Sequence, residues 1–332
     1  MAILVTGGTG YIGSVTVERL LAKGHSVIVL DDLVHGHRES IDPSVTFYQG
    51  LAGDRALIDR IAKDRGIDSC IHFASLIAVG ESVEKPSLYF ENNVQQGISL
   101  VSALVLAGVR HFVFSSSAAV YGEPEKVPIP EDSRKWPKNP YGWSKLIIER
   151  VLESYDTAYG FKSVSLRYFN AAGATARCGE HHHPETHLIP NVVNAAAHPD
   201  REITVFGNKY PTPDGTPVRD YIHVADLADA HIRALDHLRS GGASDALNLG
   251  TGRGHSVLEV IETARRVTGR PIRVRIEGPR AGDPAELVAD PSRAQSVFGW
   301  TPVMSDLSAI IQSAWEWREK NPSGYGSPGS AK

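Results

Sequence analysis

The opening stretch "MAILVTGGTGYIG" limits the fold of this chain more than any other feature. An apolar run over Ala2–Thr6 passes straight into Gly7, Gly8, Gly10 and Gly13, and a helical pattern begins at once. A fully apolar strand, a glycine turn and a helix start in that order belong to a parallel sheet covered on both faces. Gly8, Gly10 and Gly13 match G-x-G-x-x-G, a pattern that gains meaning only between a strand and a helix. Glycines let the backbone approach a pyrophosphate, and the helix N-terminus attracts its charge.

The alternation continues. Runs rich in Val, Ile and Phe predict strands at Ala2–Thr6, Ser26–Leu30, Val45–Gln49, Ser69–Ala74, His111–Ser115 and Ser163–Tyr168. Helices are predicted near 11–23, 54–65, 88–108 and 141–159. The expected class is α/β, a Rossmann-type doubly wound parallel sheet with a smaller α/β substrate-binding domain. Residues 1–170 are read as the NAD-binding domain and 171–320 mainly as the substrate domain, with some segments returning to the first. The Gly/Ser/Pro-rich stretch 321–332 is read as a flexible tail. In such sheets ligands bind beyond the carboxyl ends of the strands. The second strand ends in Asp31-Asp32, where a carboxylate can hold the adenosine ribose hydroxyls and repel a 2′-phosphate. NAD is therefore favoured over NADP, although His35, His37 and Arg38 nearby weaken that preference.

"NPYGWSK" sets Tyr141 and Lys145 four residues apart behind Pro140, at a helix start. That spacing aims both side chains the same way. For the phenol to act as a base near neutral pH, its pKa must fall by about 3 units, roughly 4 kcal/mol. One cation at about 4 Å in an effective dielectric near 20 supplies about that much. Lys145 is read as that cation, with oxidised NAD adding to it. "FSSS" at 114–117 ends a strand on the same rim, and a serine there can hydrogen-bond a reacting hydroxyl.

Composition excludes other classes. The net charge is −4 with dispersed basic residues, which leaves no footprint for nucleic acid. No apolar run approaches the roughly 20 residues of a membrane span. The start reads as a strand rather than a leader. Cys70 and Cys178 stand alone, with no CxxC pair. A cytoplasmic setting is expected.

TGGTGYIG, SSSAAVYG and YGWSK resemble the extended short-chain dehydrogenase/reductase superfamily. "LRYFNAAGA" (166–174), "HLIP" (187–190), "FGNKYPTPDGTPVRDYIHVADLADAH" (206–231), "NLGTGRGHSVLEV" (248–260) and "RAGDPAELVAD" (280–290) narrow this to the UDP-glucose 4-epimerases, nearly end to end. The resemblance implies NAD-dependent interconversion of UDP-galactose and UDP-glucose by oxidation at sugar C4, rotation of a 4-keto intermediate and hydride return. It implies Ser117, Tyr141 and Lys145 as the catalytic group. Gly7, Gly10, Tyr11, Ile12, Gly13, Asp31, Phe73, Ala74, Asn93, Ser115 and Phe169, with Tyr141 and Lys145, would hold the cofactor. Ser117, Asn170, His187, Leu188, Val205, Phe206, Arg219, Tyr221, Arg280, Asp283 and Leu287 would hold the UDP-sugar. Arg219 and Arg280 would pair with its phosphates, Asp283 with the uridine ribose, and Phe206 would lie near the uracil. The family also implies a homodimer joined through helices 88–108 and 141–159; the second carries Leu146, Ile147, Val151, Leu152, Tyr155 and Tyr159.

Several positions depart from the family pattern. Leu51 stands where an adenine-side Asp is usual, Ser75 replaces a glycine, Ile77 a lysine, Ala119 a threonine, and Gln96-Gly97 a Gly-Thr pair. Each lost hydrogen bond is worth about 1 kcal/mol, so weaker NAD retention is expected. Leu287 leaves more room at the sugar 2-substituent than a tyrosine, which keeps UDP-N-acetylhexosamines and UDP-pentoses open as alternative substrates. A non-catalytic NAD- and sugar-nucleotide-binding regulator is the alternative from another class. Ala118-Ala119 after Ser117 lack the acid–base pair of a 4,6-dehydratase. In "EHHHPETH" (180–187) three consecutive histidines point in different directions, so no metal site is expected and a solvated loop is read.

Overall fold

The computed structural model describes residues 2–280 and 283–326. At its centre lies a seven-stranded sheet of β1 (Ala2–Thr6), β2 (Val27–Asp31), β3 (Thr46–Gln49), β4 (Ile67–His72), β5 (His111–Ser117), β6 (Lys162–Tyr168) and the strand Asp245–Leu249. Their order is Asp245–Leu249, β6, β5, β4, β1, β2, β3, and every pairing is parallel. The six expected strands are present, with ends moved by one or two residues. The seventh, from the second half of the chain, was not anticipated.

Side chains alternate across each strand, so the sheet feeds two cores. Val5, Val29, Ile71 and Val113 face one way and pack with Leu20 and Leu235. Leu4, Leu30, Cys70 and Phe112 face the other and pack with Ile58, Leu104 and Leu152. The helix Val224–Arg239 supplies Leu235 and lies against Tyr11–Ala22, so this part of the second half belongs to the sheet layer. A third core joins Ile189, Val193, Ile203, Val260, Ile310 and Trp315. Two small sheets flank it: Glu202–Phe206 beside Arg273–Glu277, and Val218–Arg219 between His255–Ser256 and Glu286–Leu287.

Two expectations need correction. Helix 88–108 is not one regular helix: it runs α over Pro86–Tyr89, π over Phe90–Gln95 and α over Gln96–Leu106. A π turn re-aims side chains and marks functional segments; here it carries Asn93. The flexible tail expected over 321–332 is fastened at its start. The Tyr325 hydroxyl accepts from Gly179 N at 2.8 Å and donates to Gly179 O at 2.9 Å. Residues 327–332 lie outside the described residues.

Candidate active site

The sheet reverses its winding between β1 and β4, where the loops leaving both strands meet. Phe73 N and Ala74 N donate to Thr6 O at 2.8 and 3.1 Å. Gly7 holds φ at 70°, and a Cβ there would lie 2.4 Å from Ala74 N. Only glycine permits this approach. The helix Tyr11–Ala22 then starts from Gly10 with no side-chain cap, so its first N–H groups face the crevice unspent. Asp31 sits at the far end, its carboxylate accepting from Thr9 N and Leu33 N, each at 3.0 Å. Tyr11 is turned away: its hydroxyl donates to Gly173 O at 2.5 Å, tying the crevice wall to the second half.

Opposite this crevice, β5 ends in Ser115, Ser116 and Ser117. The helix Pro140–Tyr159 begins beside it, with Asn139 Oδ1 capping Gly142 N at 2.8 Å and Pro140 in the first turn. A Cβ on Gly142 would lie 2.6 Å from Ala119 O, so the glycine lets the first turn press against the β5 rim. Sequence reasoning passed over that residue. The contact brings Tyr141 and Lys145 beside Ser117.

The electrostatics differ from the expectation. Lys145 is buried, donates from Nζ to Ser115 O at 2.8 Å and lies 5.7 Å from the centre of the Tyr141 ring. Burial holds the ammonium down to about 7, while Glu149 one turn along raises it in part. Burial also pushes the Tyr141 phenol above its ordinary value, and the hydrogen bond with Ser117 pulls it partly back. In the chain alone the hydrogen bond with Ser117 lowers the phenol without offsetting its burial. The i,i+4 spacing sets direction, and the extended lysine donates to the Ser115 carbonyl beside the ring.

Beneath this rim lies a buried network that the sequence did not disclose. Arg167 on β6 forks onto Glu149, Nε to Oε1 at 2.9 Å and Nη2 to Oε2 at 2.6 Å. Ser116 Oγ donates to Glu149 Oε1 at 2.6 Å, and Arg167 Nη1 donates to the Tyr121 hydroxyl at 2.9 Å. The Tyr121 hydroxyl donates to Asn248 Oδ1 at 2.7 Å, reaching the seventh strand. Asn93 acts as a second clamp. It accepts from Leu76 N at 2.9 Å and donates to Leu76 O and Ser144 Oγ, each at 3.0 Å.

The departures from the family pattern separate in the structure. Gln96 Oε1 accepts from Gly53 N at 3.0 Å, so it fastens the loop after β3 rather than leaving a gap. Leu51 and Ile77 stay 48 % and 40 % exposed on the surface.

The second half brings most of its expected residues together. Arg219 pairs with Asp283 and lies opposite Leu287 in the strand pairing. Arg280 stacks on Phe206, 4.0 Å from the ring centre. Asn170 donates to Asp220 O at 3.0 Å, and Phe169 and Leu287 both pack against the small cluster of Ala118, Val120, Tyr121, Ile129 and Leu146. Asp220, which sequence reasoning missed, is buried and accepts from Thr251 N, Gly252 N and Ala289 N at 2.9–3.2 Å, joining three segments below Arg219. Val205 and Tyr221 are buried in the third core, Leu188 half-buried against it, so Val205 can offer a ligand only its backbone. His187 turns its Nδ1 onto Glu180 at 2.7 Å and stays 40 % exposed. The stretch 180–187 is only partly a solvated loop: His183, Pro184 and Thr186 are exposed, but the Glu180 side chain is only 5 % exposed.

The profile described as "NAD dependent epimerase/dehydratase family" matches residues 3–250. The UDP-glucose 4-epimerase of Lacticaseibacillus casei is 47 % identical over 328 residues, covering 98 % of this chain and 99 % of that protein. The solved UDP-glucose 4-epimerase from Brucella ovis in complex with NAD superposes with a TM-score of 0.92 at 45 % identity, over 95 % of this chain and 97 % of that one. The enzyme from Bifidobacterium longum in complex with NAD+ and UDP gives 0.92 at 39 % identity, over 98 % and 100 %.

Proposed function

The chain belongs to the NAD-dependent epimerase/dehydratase family, and from that premise we propose that it interconverts UDP-galactose and UDP-glucose using NAD. The crevice suits the cofactor. The uncapped start of Tyr11–Ala22 suits the pyrophosphate. A Cβ on Gly10 would meet nothing nearer than Gly7 O at 3.4 Å, so that side is open. The Asp31 carboxylate suits ribose hydroxyls. Gly7, Gly10, Ile12, Gly13, Asp31, Phe73, Ala74, Asn93, Ser115 and Phe169 are the residues proposed to hold it. When bound, NAD supplies the hydride acceptor and donor at sugar C4.

The chain's own groups move the proton. Tyr141 takes it from the sugar 4-hydroxyl and later returns it, while Ser117 hydrogen-bonds the same oxygen. Burial opposes ionisation of the phenol, so the base works only with positive charge beside it. Lys145 and the oxidised nicotinamide are proposed to supply that charge together. Arg219 and Arg280 receive the two phosphates, and a guanidinium fork suits them. Asp283, Phe206 and Asn170 border the same ligand. The exposed apolar side chains Leu88, Phe90 and Tyr159 support a homodimer through the broken helical run 86–106 and the helix Pro140–Tyr159.

The observation that supports this reading best is the convergence of Ser117, Tyr141 and Lys145 beside the glycine crevice. The test is to incubate the purified protein with UDP-galactose and follow UDP-glucose, with and without added NAD. Product without added NAD means a retained cofactor. No product under either condition refutes the reading. UDP-N-acetylgalactosamine in the same assay tests the room left by Leu287.

A further inference from the structure

Four side chains outside the catalytic crevice converge in a way that the epimerase chemistry does not use. One ligand atom each from Glu180, His182, Glu185 and His187 lies within 4.8 Å of all the others. His187 Nδ1 is 2.7 Å from Glu180 Oε1 and 3.1 Å from Glu185 Oε1. His182 Nδ1 is 3.3 Å from Glu180 Oε1 and 3.9 Å from Glu185 Oε2. We propose that these four residues form a structural zinc site.

The distances have the right scale. Ligands about 2.0–2.2 Å from a tetrahedral ion stand roughly 3.3–3.6 Å from one another, and the observed spacings straddle that range. Hydrogen bonds account for part of the cluster, since Glu185 Oε1 accepts from Thr186 N and His187 N at 2.8 Å each, but not for all of it. Glu180 is only 5 % exposed, yet its Oε2 has no hydrogen-bond partner. The buried Nδ1 of His182 also has none, although a carboxylate oxygen lies 3.3 Å away. That nitrogen is close enough but wrongly aimed, as expected when lone pairs converge on a point between the groups. Buried polar atoms left unpaired are costly. Among the described residues the carboxylates pair only with the imidazoles of His182 and His187, and a dication held by all four groups would balance the two negative charges.

The donor set selects the metal. Two imidazoles with two carboxylates suit zinc, whereas calcium and magnesium take oxygen ligands. Four protein ligands close the coordination, which is the mark of a structural rather than a catalytic site. The sequence hides this arrangement because the ligands are paired as Glu180-x-His182 and Glu185-x-His187. His181 and His183 stand outside the set: His181 stacks on His37 with ring centres 4.7 Å apart. A cavity of about 400 Å³ opens beside the cluster and gives an ion a route in. The site would fasten residues 180–185 to His187, which begins the helix Leu188–Ala197.

The experiment uses full-length protein carrying no histidine tag. Zinc per chain is measured by elemental analysis after incubation with zinc chloride and dialysis, and the visible spectrum is recorded after cobalt chloride replaces it. Expected are one zinc per chain and the intense bands of tetrahedral cobalt. Outer-shell changes alone weaken metal sites about 10–100-fold. His182→Ala should therefore lower zinc affinity by at least about 100-fold, while His183→Ala leaves it unchanged. If His182→Ala fails to fold, Glu185→Gln takes its place with the same expectation. No zinc in the wild-type protein overturns the proposal. So does a weak octahedral cobalt spectrum, or a loss that follows His183→Ala instead of His182→Ala, which would assign the metal to surface histidines.

Discussion

Replacing Lys145 by methionine should make the cofactor-stripped protein more stable below neutral pH while removing its activity. Burial holds the ammonium at about 7 against an ordinary 10.5. At about 1.4 kcal/mol per pKa unit, that withholds about 5 kcal/mol from the folded state wherever the lysine must be charged. Methionine has a similar length and no charge, but it gives up the hydrogen bond to Ser115 O, about 1–3 kcal/mol. The net gain is therefore about 2–4 kcal/mol below pH 7. The sign depends on pH. The folded pKa lies below the unfolded one, so between about 7 and 10.5 the unfolded chain binds more protons, and wild-type stability rises with pH relative to the variant. Above about 10.5 the lysine is neutral in both states, and the variant should become the less stable protein by the lost hydrogen bond. Urea unfolding of both proteins at about pH 6, 7.5 and 9 measures the difference. A difference that stays constant across that range would refute the reasoning, because it would mean that the lysine is not strained by its burial. UDP-galactose turnover of the same samples should be abolished at every pH.

Tyr141→Phe removes the proposed base but no part of the glycine crevice. Turnover should fall by at least about 10²–10⁴-fold, while NAD measured after denaturing the purified protein stays at the wild-type level. Gly10→Ala and Gly13→Ala should separate cofactor binding from folding. At Gly10 the added carbon meets protein only at 3.4 Å, so the fold should survive and NAD affinity fall; at Gly13 it would lie 2.1 Å from Gly7 O, so soluble yield and thermal midpoint should fall as well. Glu149→Gln leaves the buried Arg167 guanidinium without its counter-charge and should cost about 3–5 kcal/mol in urea unfolding. A loss under about 1 kcal/mol would show that water reaches the pair.

What could be read from the sequence was local. The run from Ala2 through Gly13 states strand, turn and helix within twelve residues, and the helix start at Asn139-Pro140 carries its own cap and its Tyr141–Lys145 spacing. The strand Asp245–Leu249 was missed because "DALNL" is short and bears polar residues at two of five positions. Its place beside β6 depends on partners far away in the chain: Arg293, which pairs with Asp245, and Tyr121, which bonds Asn248. The Glu149–Arg167 pair is likewise formed only when the helix lies across β6. In "EHHHPETH" a run of like residues concealed alternate spacing that only the folded segment exposes.

That difference explains how the proposed site is held. The groups read from sequence are mostly those that would touch ligand, while the groups that fix them come from distant segments. Ser116 sits between Ser115 and Ser117 and donates inward to Glu149, so the strand end that presents Ser117 to the reacting hydroxyl is anchored by the same carboxylate that bears on Lys145. Arg167 closes that arrangement from β6 and passes it through Tyr121 to Asn248. One carboxylate thus couples the position of Ser117 to the charge of Lys145. A change at Glu149 should then alter stability and the pH dependence of turnover together, whereas a change at Tyr141 should alter turnover alone.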